Sequence, residues 1–567
     1  MSLIIEVGEK NPGANHVSFA FGYDVNQMLK DLPIRALHIL REKGSVYYEG
    51  FHIEHVPRKW LLVRFNKIQV KIFDTFLFFN CKFGEALRKY NIGIEENLDR
   101  IDKGKEERPR FTWANIDEIE RYWETELEYG IDLLDSLRDI IYSAGFFINS
   151  WHGPGALASY ALRDNNTQLY MDRGIPVEVN SAARYAMFGG RFQPFQVGYY
   201  EGTIYDRDIN SAYAYAFSRL PSLQNGKWRY ESSVNRDEAK HCRIGLFHIR
   251  YSRRMSNRAM PLPHRERSGT VSFPPITDGW FHAVEAASVV DDEFAEFLDA
   301  WIFEDDGSYP FAWINEAFYE RQKLIDEGNP AEKTLKWMLA ALYGQAAQRA
   351  GWERLKGPPK WHQLEWAGAV TAECRSMVFN AAKHVGLSLI SIDTDGFISM
   401  APPPVLPNGI GEQLGQWKAK EYGGILYLQN GIYWLRDKNT EEWLQPKSRG
   451  IPRKRLSFDE VHPMLQRNEN LKVSQHMYIG YGLALRGQMD KWRKWVDVPR
   501  EITFGGNGKA LHITRFCPTC KNGISWGDGM HPVFQVPPDT IESSPYDIPW
   551  LQETEEKVLK EHAFMEE

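Results

Sequence analysis

Apolar and polar positions change their period several times along this chain. From residue 387 to 400, LSLISIDTDGFISM, the apolar runs Leu389-Ile390-Ser391-Ile392 and Phe397-Ile398-Ser399-Met400 flank Asp393-Thr394-Asp395-Gly396. The four central residues are turn formers, so the pattern predicts a hairpin with two carboxylates at its tip. From 204 to 216, IYDRDINSAYAYA runs apolar into Asp206 and Asp208 and then becomes small and aromatic, a strand passing into a helix. From 334 to 349, TLKWMLAALYGQAAQR has no proline and many strong helix formers, which predicts a helix. One face of it carries Lys336, Ala340, Tyr343 and Ala347 at i, i+4, i+7 and i+11,.

The rest of the pattern is mixed α/β. Residues 17–21 read as a strand that leads into Gly22-Tyr23-Asp24 and a helical pattern through Met28 and Leu32. The β-rich runs 45–53, 60–65 and 69–73 precede two or three helices. Residues 151–200 shift toward Gly, Asn and small residues, as a connecting segment does. Strand-like residues 244–250 and 301–303 are followed by helical runs at 311–328, ending in Gly328-Asn329-Pro330, and at 370–385.

Two carboxylates on an apolar support repel each other unless a cation neutralises them, and hard divalent ions take carboxylate oxygens. Asp206 and Asp208, at the end of a strand, can join the hairpin acids around such an ion pair. Asp and Gly are also ordinary turn residues, so the hairpin alone does not settle the matter.

Composition adds bounds. At 567 residues, with 43% hydrophobic and 13% aromatic content, the chain is globular and long enough for several domains. A formal net charge of −7 does not mark a nucleic-acid binder, but whole-chain charge averages over faces. Basic character is local, in KSRGIPRKR at 447–455 and DKWRKWVDVPR at 490–500. Five scattered cysteines, Cys81, Cys242, Cys374, Cys517 and Cys520, point to a reducing compartment. The opening residues lack a signal peptide's pattern and no apolar run reaches the length of a membrane span,. The expectation is a cytoplasmic protein without a membrane partner.

Asp208, Ser211 and Tyr213 stand as D-x-x-S-x-Y; Lys336, Tyr343 and Gly344 as K-x6-Y-G; Asp393 to Asp395 as D-T-D. In this order and spacing they resemble motifs A, B and C of the family B DNA polymerases, close to the protein-primed branch of phage and mobile-element enzymes. The resemblance implies an α+β multidomain right-hand polymerase of palm, fingers and thumb, preceded by an incomplete ribonuclease H-like exonuclease domain. Its parts would be the exonuclease-like domain at 1–150, a linker at 151–200, palm at 201–310 and 351–445, fingers at 311–350, and thumb and tail at 446–567.

The same resemblance implies roles. Asp208, Asp393 and Asp395 would be the catalytic, metal-binding acids for two Mg²⁺, with Mn²⁺ as a substitute. Ile209, through its carbonyl, with Ser211, Tyr213, Arg321, Lys336 and Tyr343, would surround the deoxynucleotide, Tyr213 as the gate against a 2′-hydroxyl. Phe188-Gly189-Gly190-Arg191 resembles the Y-x-G-G linker motif, with Arg191 a phosphate ligand; Tyr433, Lys447 and Arg449 would also meet DNA. Partners would be template and primer DNA, deoxynucleoside triphosphates, and a terminal protein or other replication proteins.

Departures from the family pattern narrow the expectation. Ala340 replaces the motif B asparagine, and Gly431 stands where the lysine of a K-x-Y strand belongs, two residues before Tyr433. The short stretch between Tyr343 and Asp393 leaves little room for the insertion that supports strand displacement. Asp24 matches a second exonuclease acid, and Tyr122 with Glu126 the Y-x3-D spacing of the third, Glu replacing Asp. No D-x-E motif precedes Asp24. Two-metal hydrolysis needs acids from both sides of the metal pair, so editing is not expected, the domain being inactive, truncated or completed elsewhere.

Two other readings stay open. A non-catalytic or split polymerase-fold DNA-binding protein is favoured by the missing exonuclease acids and disfavoured by the three palm acids. An RNA polymerase or reverse transcriptase is disfavoured by Tyr213 and the Lys-to-Tyr-Gly helix. Cys517-Pro518-Thr519-Cys520 is one CxxC with His512 and His531 as distant partners, too little to expect structural zinc.

Overall fold

The structure, a computed structural model, describes residues 1–107, 116–253, 258–348, 358–449, 451, 456–466, 471–485, 494–502, 510–511 and 529–546. Cys517, Cys520 and His512 lie outside them. The chain divides into two compact units: Met1–Thr167, Trp313–Gln345 and Tyr478–Val496 form the first, and Gln168–Ala312, Ala346–Met477 and Asp497–Glu567 the second.

The first unit is built on a five-stranded sheet of β1 (His16–Ser18), β2 (Ser45–Tyr48), β3 (Phe51–Val56), β4 (Trp60–Phe65) and β5 (Ile68–Asp74), in the order β1-β5-β4-β3-β2. Neighbours are antiparallel except β1, which runs parallel to β5 at the edge. Inward residues Ile53, Leu61 and Val63 pack on Val25, Leu29, Leu37 and Leu40 from the helices that follow β1. The helix Ile34–Lys43 ends at Gly44, whose φ of 68° is the left-handed C-terminal stop that glycine supplies,.

This unit also holds the helical hairpin Trp313–Asp326 and Glu332–Ala346, joined through Gly328 at φ 66°. Leu335, Met338, Leu339 and Leu342 form its buried stripe, at the 3–4 residue spacing of a helix packed on one side,. Lys336 and Ala340 are exposed and Tyr343 half-buried on the other face, as the spacing predicts.

The second unit contains an eight-stranded sheet. Its path is β18-β17-β16-β7-β15-β14-β6, with the short strand Met530–Pro532 also paired to β7. These are β6 (Phe192–Pro194), β7 (Gln196–Ile209), β14 (Leu389–Asp393), β15 (Gly396–Ser399), β16 (Trp417–Gln429), β17 (Ile432–Arg436) and β18 (Lys447–Ser448). A second sheet has the order β12-β9-β13-β8, from β8 (Lys227–Glu231), β9 (Gly245–Ser252), β12 (Ile276–His282) and β13 (Ala295–Glu304); β10 (His264–Arg265) and β11 (Val271–Ser272) form a separate ladder.

The helix Leu364–Ala382 is buried nearly all round. Its Cys374, Met377, Val378 and Ala381 pack against Ile209, Phe397 and Trp417 of the large sheet. Each large side chain so buried contributes about 1.5–3 kcal/mol relative to exposure, which fixes β7 and the β14–β15 hairpin against one support.

Residues 426–437, matched in sequence to a K-x-Y strand, form two strands. Gly431 sits in the turn between β16 and β17 at φ 76°, a conformation that disfavours lysine there. Among the described residues no helix is long and apolar enough to cross a membrane.

Candidate active site

The DTDG hairpin forms where the sequence predicts it, and its glycine has a specific cause. β15 pairs antiparallel with β7, Gly396 opposite Asp208 and Ile398 opposite Asp206. A Cβ on Gly396 would stand 2.5 Å from the Arg207 carbonyl oxygen, so only glycine admits this approach. The Ile209 N–H donates to the Asp395 carbonyl at 2.8 Å. Thr394 turns the hairpin at φ 56°, and its N–H donates to the Arg191 carbonyl at 2.6 Å.

Asp206 and Asp208, two residues apart, share one face of β7. Together with Asp393, Lys418, Lys420, Tyr433 and Lys447 they line a cavity of about 190 Å³. Burial, then the charge of Asp208, raises the Asp206 carboxyl to about 6, against the pull of Lys447, Lys420 and Arg207. Burial, then the charge of Asp206, raises Asp393 to about 6, although the Ser391 hydroxyl donates to it at 3.1 Å. Asp393 Oδ1 is buried without a hydrogen-bond partner. Like-charged carboxylates pressed together in this way mark a place for a cation.

Asp395 lies on the helix side of the hairpin. Burial, then the charges of Asp395 and Asp208, push the Cys374 thiol well above its usual range. Its S–H donates to the Thr394 carbonyl at 3.3 Å. Among the described residues no three His, Cys, Asp or Glu side chains are grouped so as to hold a metal ion. The chemistry of the donor set and the orphaned Asp393 oxygen nevertheless suit a hard divalent cation.

Asp206 is a member of the cavity that motif matching passed over. The signal was present, since period-2 alternation puts it on the face of Asp208.

Two predicted contacts are corrected. Arg191 is fully buried, its guanidinium 4.0 Å from the centre of the Phe273 ring and bonded to Gln193, so it is not presented to a phosphate. Arg321 is 8% exposed and donates from Nε and Nη2 to Glu332, so its charge is spent inside the helical hairpin. Lys336 and Tyr343 fall in the first unit, and Asp208, Tyr213, Asp393 and Asp395 in the second.

Elsewhere the expected residues take recognisable places. Lys447 lies opposite Tyr433 in the β17–β18 ladder, and both reach the acid cavity. Arg449 is exposed; its N–H donates to the Gly431 carbonyl at 2.9 Å, and its guanidinium stands 4.2 Å from the centre of the Phe192 ring. Ser211, at φ 49°, turns the chain from β7 into the helix Ala212–Ser218, which carries Tyr213.

In the first unit, Asp24 and Glu126 line a cavity of about 330 Å³ whose other walls are mostly apolar. Lys105 Nζ binds Glu126 at 2.8 Å and lies over the Phe83 ring at 4.3 Å. Tyr122 is 4% exposed and packs so closely that a Cβ on Gly104 would stand 2.6 Å from its ring.

An acid-bearing strand thus lies in register with an Asp-Thr-Asp hairpin and is backed by a buried helix. Residues 159–352, a segment that includes Asp208, Tyr213, Lys336 and Tyr343, match the family described as DNA polymerase type B, organellar and viral. The chain is 22% identical over 371 residues to the DNA polymerase of Acidianus bottle-shaped virus (isolate Italy/Pozzuoli), covering 61% of this chain and 53% of that protein. It thus spans about half the length of that relative.

Among solved structures it is similar to Phi29 DNA polymerase complexed with primer-template DNA and incoming nucleotide substrates. The TM-score is 0.62 at 15% identity, over 89% of this chain and 92% of the other. An orthorhombic crystal form of the same polymerase gives 0.61 at 14%. The fold is that of a multidomain right-hand DNA polymerase.

Proposed function

We propose that this chain is a template-directed DNA polymerase that adds deoxynucleotides to a primer 3′-hydroxyl by two-metal-ion nucleotidyl transfer, without 3′–5′ editing. The observation that carries the reading is the pairing of Gly396 with Asp208, which sets the hairpin acids beside those of β7. Asp208 and Asp395 would hold two Mg²⁺ with Asp393 assisting and the Ile209 carbonyl contributing. When bound, the ions lower the pKa of the primer hydroxyl and neutralise the triphosphate.

The chain's own residues do the rest. Tyr213 walls off the 2′ position, with Ser211 setting the turn that delivers it. Lys336, exposed on its helix, offers a compact cation to the triphosphate, and Tyr343 packs by the nascent base pair. Lys447 reaches the cavity from opposite Tyr433 and stands in for the lysine that the Gly431 turn excludes; Arg449 offers a second cation to the backbone. Gly189 and Gly190 would border the DNA path, while Arg191 braces the linker from inside.

Residues 1–150 would be the exonuclease-like domain, 151–200 the linker, 201–310 and 351–445 the palm, 311–350 the fingers and 446–567 the thumb and tail. Partners would be primer-template DNA, deoxynucleotides and a terminal protein or other replication proteins, in the host cytoplasm. The test is extension of a labelled primer with Mg²⁺ and four deoxynucleotides, beside a lane without nucleotides. Extension there and an intact primer in the empty lane support the reading; bound template without extension moves it to a binding protein.

A further inference from the structure

The linker motif Phe188 to Arg191 runs as a strap between the helix Leu364–Ala382 and the Asp393–Asp395 turn, bonded to both. The Phe188 carbonyl accepts from the Thr371 hydroxyl and from Arg375 Nη1, both at 2.6 Å, and the Gly189 carbonyl accepts from Arg375 Nη1 at 2.7 Å. Arg375 Nε binds Glu285 at 2.8 Å, both side chains 2% exposed. Phe188 is fully buried, parallel to the Phe281 ring and under the Arg265 guanidinium. On the far side the Arg191 carbonyl holds the Thr394 N–H. The strap is therefore clamped at both ends, with two glycines between.

Those glycines differ. Neither has a positive φ, so neither backbone demands glycine. A Cβ on Gly189 would meet nothing within 4 Å. A Cβ on Gly190 would stand 2.7 Å from Thr394 Cγ2, 3.1 Å from its Oγ1 and 3.0 Å from the Tyr213 hydroxyl. Gly190 thus touches, at one point, the turn that carries Asp393 and Asp395 and the tyrosine of motif A.

We propose that Gly190 is a positioning residue for sugar selection: the clamped strap is the floor that fixes the Tyr213 hydroxyl relative to the Asp393–Asp395 turn. A gate against a 2′-hydroxyl works by placement, and a wall displaced by a few tenths of an ångström admits the extra atom. The bonds of Thr371 and Arg375 to the strap, with Arg375 held by Glu285, give that placement its reference. This rests on the polymerase reading and extends it to a residue that touches neither the incoming nucleotide nor a metal.

The test compares Gly189→Ala with Gly190→Ala in the full chain, reading the ratio of deoxynucleotide to ribonucleotide incorporation efficiency on one primer-template. Gly190→Ala lowers the ratio by about tenfold, the scale on which a displaced contact in a pocket discriminates; Gly189→Ala leaves the ratio as it is, whatever it does to DNA affinity. Adding Thr394→Ser to Gly190→Ala removes the nearest clashing atom and restores most of the ratio, and it also serves if the single variant does not fold. A ratio that stays within twofold of wild type in Gly190→Ala, with both rates falling together, overturns the proposal and leaves Gly190 merely structural. A wild-type chain that incorporates neither nucleotide sinks the polymerase reading itself.

Discussion

Two of the cavities that acids line among the described residues, one in each unit, are resolved in opposite ways. In the first unit, Glu126 is held by Lys105, whose ammonium rests on an aromatic ring; the lysine occupies the role a metal would have. In the second, burial first, then the charge of Asp208 on Asp206 and of Asp206 on Asp393, raises both carboxyls to about 6, and the neighbouring lysines do not cancel them. A carboxylate with a built-in cation is a finished structural contact. Buried carboxylates raised further by a neighbouring carboxylate's charge offer a place for a cation.

The most severe way to break that contrast is to neutralise single acids on each side. Asp208→Asn or Asp395→Asn should lower primer extension by roughly a thousandfold or more, because charge at the metals is lost while Lys447 and Arg449 remain to bind DNA. Asp24→Asn and Glu126→Gln should leave extension, and the absence of primer shortening, as in wild type. Loss of extension on the Asp24 side, read on the same gel, would erase the distinction.

Stability gives a second comparison. Arg375→Leu leaves Glu285 buried without its cation and should destabilise the second unit by about 3–5 kcal/mol, read by denaturant unfolding. Lys105→Met, at a partly exposed pair, should cost about 1 kcal/mol or less. Lys447→Ala should weaken primer use by about tenfold, with a shallower salt dependence.

The smallest effect sharpens the contrast through pH. Asp206 and Asp393 have folded pKa values raised above the ordinary carboxylate value, so the folded state favours their protonated forms. Without divalent ions, stability from these groups is present at acid pH and is lost as pH rises from about 4 through about 6. Mg²⁺ requires the ionised forms, so its stabilising shift in melting temperature should be clear at pH 8 and vanish below about pH 6. Asp206→Asn should raise the metal-free melting temperature at pH 8 by a few degrees; a drop would contradict the charge crowding.

The motif elements were legible because each is local. The hairpin with its Asp-Thr-Asp-Gly tip, the strand that passes into a helix at Ser211, and the helix face of Lys336, Ala340 and Tyr343 follow from turn chemistry and period. What stayed hidden depends on partners far apart in sequence. Arg191 reads as a phosphate ligand until Phe273 and Gln193 enclose it, and Arg321 reads as a free cation until Glu332 takes it. The two glycines of the linker look alike in sequence, and only the approach of Thr394 and Tyr213 separates them. Gly431 looks like a lost lysine, whereas the turn between β16 and β17 explains it.

The strand Met530–Pro532 pairs with Gln196–Gly198 of β7, so residues from near the end of the chain are woven into the sheet that bears the acids. During synthesis, a ribosome that has translated Asp208, Lys336 and the Asp393–Asp395 turn has still not delivered the strand that completes this sheet. The order of emergence therefore delays completion of this sheet until residue 530 and its neighbours have been translated. A premature stop or a proteolytic cut ahead of residue 530 would yield a chain with every motif present and its central strand left short of a neighbour.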